Sequence, residues 1–309
     1  MTSSDHQPRN PLPFLAVVVA LTAATACGAP AADGVSLEEQ AAALAIELPI
    51  DAYRLGPEEE AAYFRAQNLL VSTCMEETGF DWPVVEEGTT ESEDQRPHRR
   101  RYGVVDPDVA EGLGYHGPPS PENERVSDER VTLLEDEEAA AAYEGLGGEE
   151  AAAGGADGTG QENGEPGCLD LAVRELSRGA DKDADYELFT QLDWDSLDAS
   201  EEHPDVEAAM GEWSACMADR GHSYTDVWSA MEDERWNLDD PELPEAERET
   251  AVDDVQCKYE TGLLDTWIAV ESEIQRDMIE DNATELEKIR DANTVYVRNA
   301  EAVLAGNGE

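Results

Sequence analysis

The feature that most constrains this chain is a motif written twice around its cysteines. Cys74-Met75-Glu-Glu-Thr-Gly79-Phe80-Asp-Trp82 and Cys216-Met217-Ala-Asp-Arg-Gly221-His222-Ser-Tyr224 share Cys-Met, three intervening residues and Gly, then a ring, a polar residue and a second ring. In each copy an apolar helical pattern runs into the cysteine. Glycine at the left-handed position stops the helix, and the ring after it folds back on the last turn. Cys168 and Cys257 each lie downstream of one copy. The expected fold is therefore mainly α: a disulfide-stapled helical bundle of two half-similar units, residues 36–178 and 183–309. A long C-terminal helix belongs to the second unit. Any β structure is limited to a tiny ribbon pairing Phe80–Val84 with the segment after Gly221.

Four cysteines allow three pairings. Cys74–Cys168 with Cys216–Cys257 respects the repeat and keeps each bridge inside its unit. A zinc site is the rival reading, but none of the cysteines has the close Cys-x-x-Cys spacing of zinc ligands. No metal ligand set is expected.

The N-terminus reads as an address. Arg9 precedes a run from Leu12 to Ala26 that is apolar apart from threonines and too short to span a bilayer. It ends Ala24-Thr25-Ala26-Cys27-Gly28, which resembles the bacterial lipoprotein signal: cleavage before Cys27 and a diacylglycerol thioether on its sulfur. Ala24 stands where leucine is usual. Residues 1–26 are then the signal peptide and 27–35 the lipidated cysteine and tether. Removing Cys27 from the count leaves the other four paired, and the expected location is the outer face of the cytoplasmic membrane.

Charge narrows the partners. With 20 basic and 73 acidic residues the formal net charge is −53. Such a surface repels nucleic acid, which binds proteins through cations that neutralise phosphate, and it repels anionic lipid heads. The membrane is met only through the lipid anchor. One basic cluster interrupts the acid field, His98-Arg99-Arg100-Arg101-Tyr102. Arg99, Arg100 and Arg101 form either an anion site for phosphate or carboxylate or internal counter-charges for neighbouring acids; the excess of acids favours the second.

Helix boundaries follow from local chemistry. Ser36-Leu-Glu-Glu39 is a capping box for a short helix reaching Leu48. Pro57 with Glu58, Glu59 and Glu60 opens the helix that carries Cys74, with Tyr63, Ala66 and Leu70 on the same face. A polar loop follows over 86–95. Asp106-Pro107 caps a short helix ending at Gly112, Leu133–Tyr143 is helical, and a helix resumes over Cys168–Leu176. No Lys or Arg lies between Val131 and Val173. Within that stretch, about 147–166, an acidic Gly-rich insertion has too little apolar surface to offset the entropy of ordering.

In the second unit Leu188, Leu192 and Leu197 mark one helix or two short ones. Asp205 starts the helix carrying Met210, Trp213 and Cys216, and Pro244 opens the one carrying Cys257. The longest element runs from Leu263 to about Leu304 with an apolar stripe from Trp267 to Tyr296 and a break near Asp281–Thr284. Such a stripe fits a coiled-coil partner or, as the commoner case, the protein's own helices. Asp181-Lys-Asp183-Ala-Asp185 resembles the opening of a calcium loop, but Tyr186 and Leu192 occupy its glycine and closing-glutamate positions. Weak calcium binding by acids is the most that follows, and no cofactor is expected.

Catalytic motifs are absent from the sequence. His98, His116, His203 and His222 stand in no His-Glu-x-x-His frame, and there is no Gly-x-Ser-x-Gly elbow or phosphate loop. His222 corresponds to Phe80, which gives it a packing role at the helix stop. A carboxylate pair for glycoside hydrolysis is conceivable, but 73 acids make any pairing uninformative. Catalysis is not expected.

The chain resembles a group of actinobacterial exported proteins and lipoproteins. The resemblance rests on Cys-Met-x-x-x-Gly at 74–79 and 216–221, Arg-Tyr-Gly-Val-Val-Asp-Pro at 101–107, Gly-Tyr-His at 114–116, and Ala-Val-Asp-Asp-Val-Gln-Cys-Lys at 251–258, followed by Thr-Gly-Leu and Trp267. It implies an all-helical exported body and no particular activity. The functional expectation is a non-catalytic, membrane-anchored extracytoplasmic lipoprotein with a binding or accessory role toward an envelope protein or cell-wall component. A groove lined by Trp213, Trp228, Trp236 and Trp267 is the first candidate recognition surface, with core packing as the competing role. The alternatives are an acidic lipoprotein that captures cations or small ligands and, behind it, an envelope hydrolase using a carboxylate pair.

Overall fold

The computed structural model describes residues 46–84, 98–118, 121–145, 166–238, 240 and 242–306. The leader with Cys27, the tether, the Ser36 capping box, the 86–95 loop and nearly all of the 147–166 insertion lie outside the described residues. Among the described residues, a short 3-10 turn at Pro49–Tyr53 is followed by eleven helices: α1 (Pro57–Thr78), α2 (Pro107–Leu113), α3 (Pro121–Leu134), α4 (Glu137–Glu144), α5 (Cys168–Leu176), α6 (Tyr186–Glu201), α7 (Pro204–Asp219), α8 (Val227–Met231), α9 (Glu245–Glu260), α10 (Leu263–Asp281) and α11 (Ala283–Gly306). The described residues contain isolated bridges, Arg101 with Gly103 and Gly145 with Pro166, and no strand, so the ribbon after Gly221 does not form there.

Both Cys-Met helices end alike. Gly79 and Gly221 take φ of 97° and 98°, and the amides of Phe80 and His222 donate to the carbonyls of Met75 and Met217, each at 2.9 Å. This six-to-one closure satisfies a carbonyl that the last turn would leave open, and it needs the left-handed conformation that glycine adopts without strain. Met75 and Met217 are completely buried. Disulfides join Cys74 to Cys168 and Cys216 to Cys257 with Cα separations of 5.6 and 5.8 Å. They close separations of 94 and 41 residues, and restriction of the unfolded chain is worth on the order of 4 kcal/mol for each.

Other boundaries follow their caps. Asp106 accepts from the amides of Asp108 and Val109 to start α2. The single helix expected over Leu133–Tyr143 is instead the end of α3 and all of α4, because Asp136 accepts from the amides of Glu138 and Ala139 and begins a new helix. α7 starts at Pro204, with His203 Nδ1 accepting from the amide of Asp205. The long terminal element breaks at Asn282, whose side chain donates back to the Met278 carbonyl.

The described residues form one compact unit. Its largest core draws on both expected halves: Ile50, Tyr102, Val104 and Val105 pack with Trp213, Val255, Leu264 and Trp267. A smaller cluster surrounds the first disulfide, with Val71, Met75, Trp82 and Ala172. There Tyr143 stacks on Trp82 at 4.5 Å, and the Arg130 guanidinium lies over the Trp82 ring at 4.9 Å. A third cluster of Ala66, Leu176 and Ala300 joins α1, α5 and α11. The apolar stripe of α10 and α11 is taken up by the protein's own helices, α6, α7 and α1.

Candidate functional site

The chemistry-bearing side chains gather on the inner faces of α9 and α10 and the 98–105 segment between them. α9 reads as a polar helix, yet it buries Glu247, Thr250, Asp254 and Lys258; α10 buries Glu271, Ser272 and Gln275. Polar groups removed from water must find partners in the protein, and the basic cluster supplies those of Glu271 through Arg101 and Tyr102.

Arg101 points inward, 7% exposed, onto Glu271, which is fully buried. Its Nε donates to Glu271 Oε1 at 2.8 Å, its Nη2 also donates to that oxygen, and its Nη1 lies 3.2 Å from Asp193 Oδ1. Glu271 further accepts from the Tyr102 hydroxyl at 2.7 Å, Ser196 Oγ at 3.0 Å and Gln275 Nε2 at 3.0 Å. Burial, then the Glu271 charge and hydrogen bond, push the Tyr102 phenol far above its ordinary pKa. Arg100 donates to the carbonyls of Tyr115 and His116 at 3.0 and 2.6 Å. Arg99 is buried near Tyr259, where its charge opposes the burial that pushes that phenol up to about 12. His98, at φ 64°, brings Nε2 to 2.8 Å from Asp51 Oδ1. Arg100 thus binds carbonyls and Arg101 carboxylates of their own chain, the counter-charge arrangement rather than an open anion site for these two.

Deeper in α9, Lys258 Nζ donates to Asp254 Oδ2 at 2.9 Å and to the Val104 carbonyl at 2.8 Å. Trp213 Nε1 donates to Asp254 Oδ1 at 3.0 Å. The two side chains are 0% and 1% exposed. Burial pushes the Asp254 carboxyl up and the Lys258 ammonium down, while their mutual attraction opposes both shifts. The backbone comes this close because residue 103 is glycine: a Cβ there would lie 2.8 Å from Lys258 Nζ, and φ is +74°. The Tyr259 hydroxyl donates to the next carbonyl, Val105, at 3.1 Å.

Two histidines sit against the other end of α9. His116 places Nδ1 2.9 Å from Glu247 Oε1 and Nε2 2.9 Å from the Asp240 carbonyl, so it bridges two loops and the helix. His222 lies between Asp253 Oδ2 at 2.9 Å and Thr250 Oγ1 at 3.4 Å. Hydroxyl, imidazole and carboxylate in that order have the connectivity of a nucleophile triad. The Thr250 hydroxyl, however, donates to the Ala246 carbonyl at 2.7 Å, and the residue is 1% exposed. Its proton is committed within the helix and its oxygen is closed to substrate, so this cluster holds the post-Gly221 turn on α9. Arg220 reinforces it through Asp253 at 3.0 Å and Glu260 at 2.7 Å.

Asp181 accepts from the Asp183 amide and Asp185 caps α6 through Leu188, which are turn and cap roles. Among the described residues no three His, Cys, Asp or Glu side chains are grouped to hold a metal. Trp213, Trp236 and Trp267 are buried and Trp228 partly so; their ring nitrogens donate to Asp254, the Ala230 carbonyl, Ser200 and Glu201. They are core rather than groove. Among the described residues no helix is long and apolar enough to cross a membrane. Comparison with known proteins gives no matching family model, no similar curated protein and no similar solved structure.

Sequence reasoning missed Glu271, Glu247 and Asp254. They are three acids among 73, and their partners lie far along the chain: Arg101 is 170 residues from Glu271. Lys258 carried a usable signal, since it is one of three lysines and stands four residues after an aspartate.

Proposed function

We propose that this chain is a non-catalytic lipoprotein anchored through Cys27 to the outer face of the cytoplasmic membrane, where it binds an envelope protein or a cell-wall component. The observation that carries the reading is the pair of disulfides, Cys74–Cys168 and Cys216–Cys257. Such bonds persist in oxidising compartments outside the cytoplasm. An apolar leader ending in Ala24-Thr25-Ala26-Cys27 supplies a route there and an anchor. The engagement of Arg101, His116, His222, Asp254 and Lys258 with one another's segments also supports a scaffold role, because these groups are spent on joining loops to helices.

Cell fractionation tests the anchor. The wild-type chain is expected in the membrane fraction, and Cys27→Ala is expected in the medium or uncleaved. Cross-linking in intact envelopes tests the binding role: one component should be enriched with the anchored chain. Recovery of only abundant bystander proteins would count against it.

A further inference from the structure

We propose that Lys258 and Asp254 condense after folding into an intramolecular isopeptide bond, a covalent staple across one turn of α9 inside the core. The geometry that points to it is a nucleophile and an acyl group in hydrogen-bond contact, Nζ to Oδ2 at 2.9 Å, at 0% and 1% exposure. The other carboxyl oxygen is held by Trp213 Nε1 at 3.0 Å. As an ion pair the arrangement is incomplete. The ammonium has three hydrogens but two acceptors, Asp254 Oδ2 and the Val104 carbonyl. The Tyr115 hydroxyl is buried beside Asp254, whose charge and hydrogen bond, after burial itself, help raise that phenol's pKa.

The amide product removes this mismatch. Its single N–H retains the Val104 carbonyl as acceptor, and its carbonyl oxygen, the former Oδ1, retains the Trp213 donor and has a lone pair left for Tyr115. Neither of these two charges then remains in the core, where the ions would carry a desolvation cost. Chemically the step is closed. Burial favours the neutral amine and the neutral acid. The Nζ lone pair adds to Cγ, forming the Nζ–Cγ bond; the Cγ–Oδ2 bond then breaks, and Oδ2 leaves as water with its own proton and one from Nζ. The second amine hydrogen stays on the amide. Nothing is oxidised or reduced and no co-reactant is consumed. The Trp213 N–H stabilises the oxyanion that develops on Oδ1.

The test is peptide mapping of the full-length protein after denaturation, reduction and alkylation. Trypsin cleaves after Arg248, Lys258 and Arg276 in an uncondensed chain. Condensation blocks the middle site, so the expected product is one peptide, Glu249–Arg276, lighter than its sequence by one water. Cleavage after Lys258 with both peptides at sequence mass would overturn the proposal. A Lys258→Arg chain separates this from dehydration elsewhere: its 249–276 region is expected at full mass, and a missing water there would also overturn the proposal. The peptide is remote from the N-terminus, so the result does not depend on lipidation of Cys27.

Discussion

Glu271→Gln is the sharpest probe of the polar core. The substitution preserves volume and removes one charge beneath Arg101, Tyr102, Ser196 and Gln275, all of which donate to that carboxylate. An amide has one acceptor oxygen where the carboxylate had two, and its NH2 must face at least one of these donors. Arg101 keeps Asp193 at 3.2 Å, so its charge is only partly abandoned. Breaking a buried pair from one side costs about 3–5 kcal/mol, and the residual Asp193 contact sets the expectation at the lower end, about 3 kcal/mol. With a denaturant slope of about 3 kcal/mol/M, the urea midpoint should fall by about 1 M with disulfides intact. Replacing both partners, Arg101→Met with Glu271→Leu, should recover most of that loss, since neither charge is then stranded. A Glu271→Gln midpoint within about 0.2 M of wild type would refute the view of Glu271 as an organising acceptor.

Other predictions follow from single features. Gly103→Ala should destabilise by about 1–3 kcal/mol through its positive φ and the encounter with Lys258 Nζ, read as a lowered urea midpoint. Removing Cys216–Cys257 by paired alanine substitution should cost about 2–5 kcal/mol in thermal or urea unfolding. Burial alone would raise the Asp51 carboxyl, but the His98 and Leu48 hydrogen bonds and the His98 and Arg54 charges outweigh it and hold its pKa below the ordinary value. Its stabilisation is therefore present above the ordinary carboxylate range and lost as pH falls through the lower folded value; the stability gap between wild type and Asp51→Asn should close in that acid window. With a net charge of −53, melting temperature should rise with sodium chloride, and calcium at matched ionic strength should add no saturable increment. A saturable calcium heat in calorimetry would contradict this.

The parts of the fold legible in the sequence were those set by local stereochemistry. Gly79 and Gly221 end helices through φ, Pro57 and Pro107 sit at first helical positions, and the thin apolar face near Asp281 foretold the break at Asn282. The disulfide pairing was legible because the motif repeats. What the sequence hid is the polar interior. Apolar periodicity locates a buried face only when that face is apolar, and α9 buries Glu247, Thr250, Asp254 and Lys258 beside Ala251 and Val255. The wider part of α3 was hidden for the related reason that Val126 is its fully sheltered apolar side chain, while Val131 is 61% exposed. In the candidate site, charge balance favoured a counter-ion role for the arginines without identifying the acids that Arg101 meets. Contacts such as Arg101 with Glu271 and Lys258 with the Val104 carbonyl exist only after the chain has folded.

Intact mass of the protein extracted from membranes, before and after reduction, tests the central claim most directly. The account predicts a chain beginning at Cys27 and carrying diacylglycerol, with reduction adding the hydrogens of two disulfides that map to 74–168 and 216–257. An unlipidated chain would contradict the anchor, and free or crossed cysteines would contradict the stapled fold.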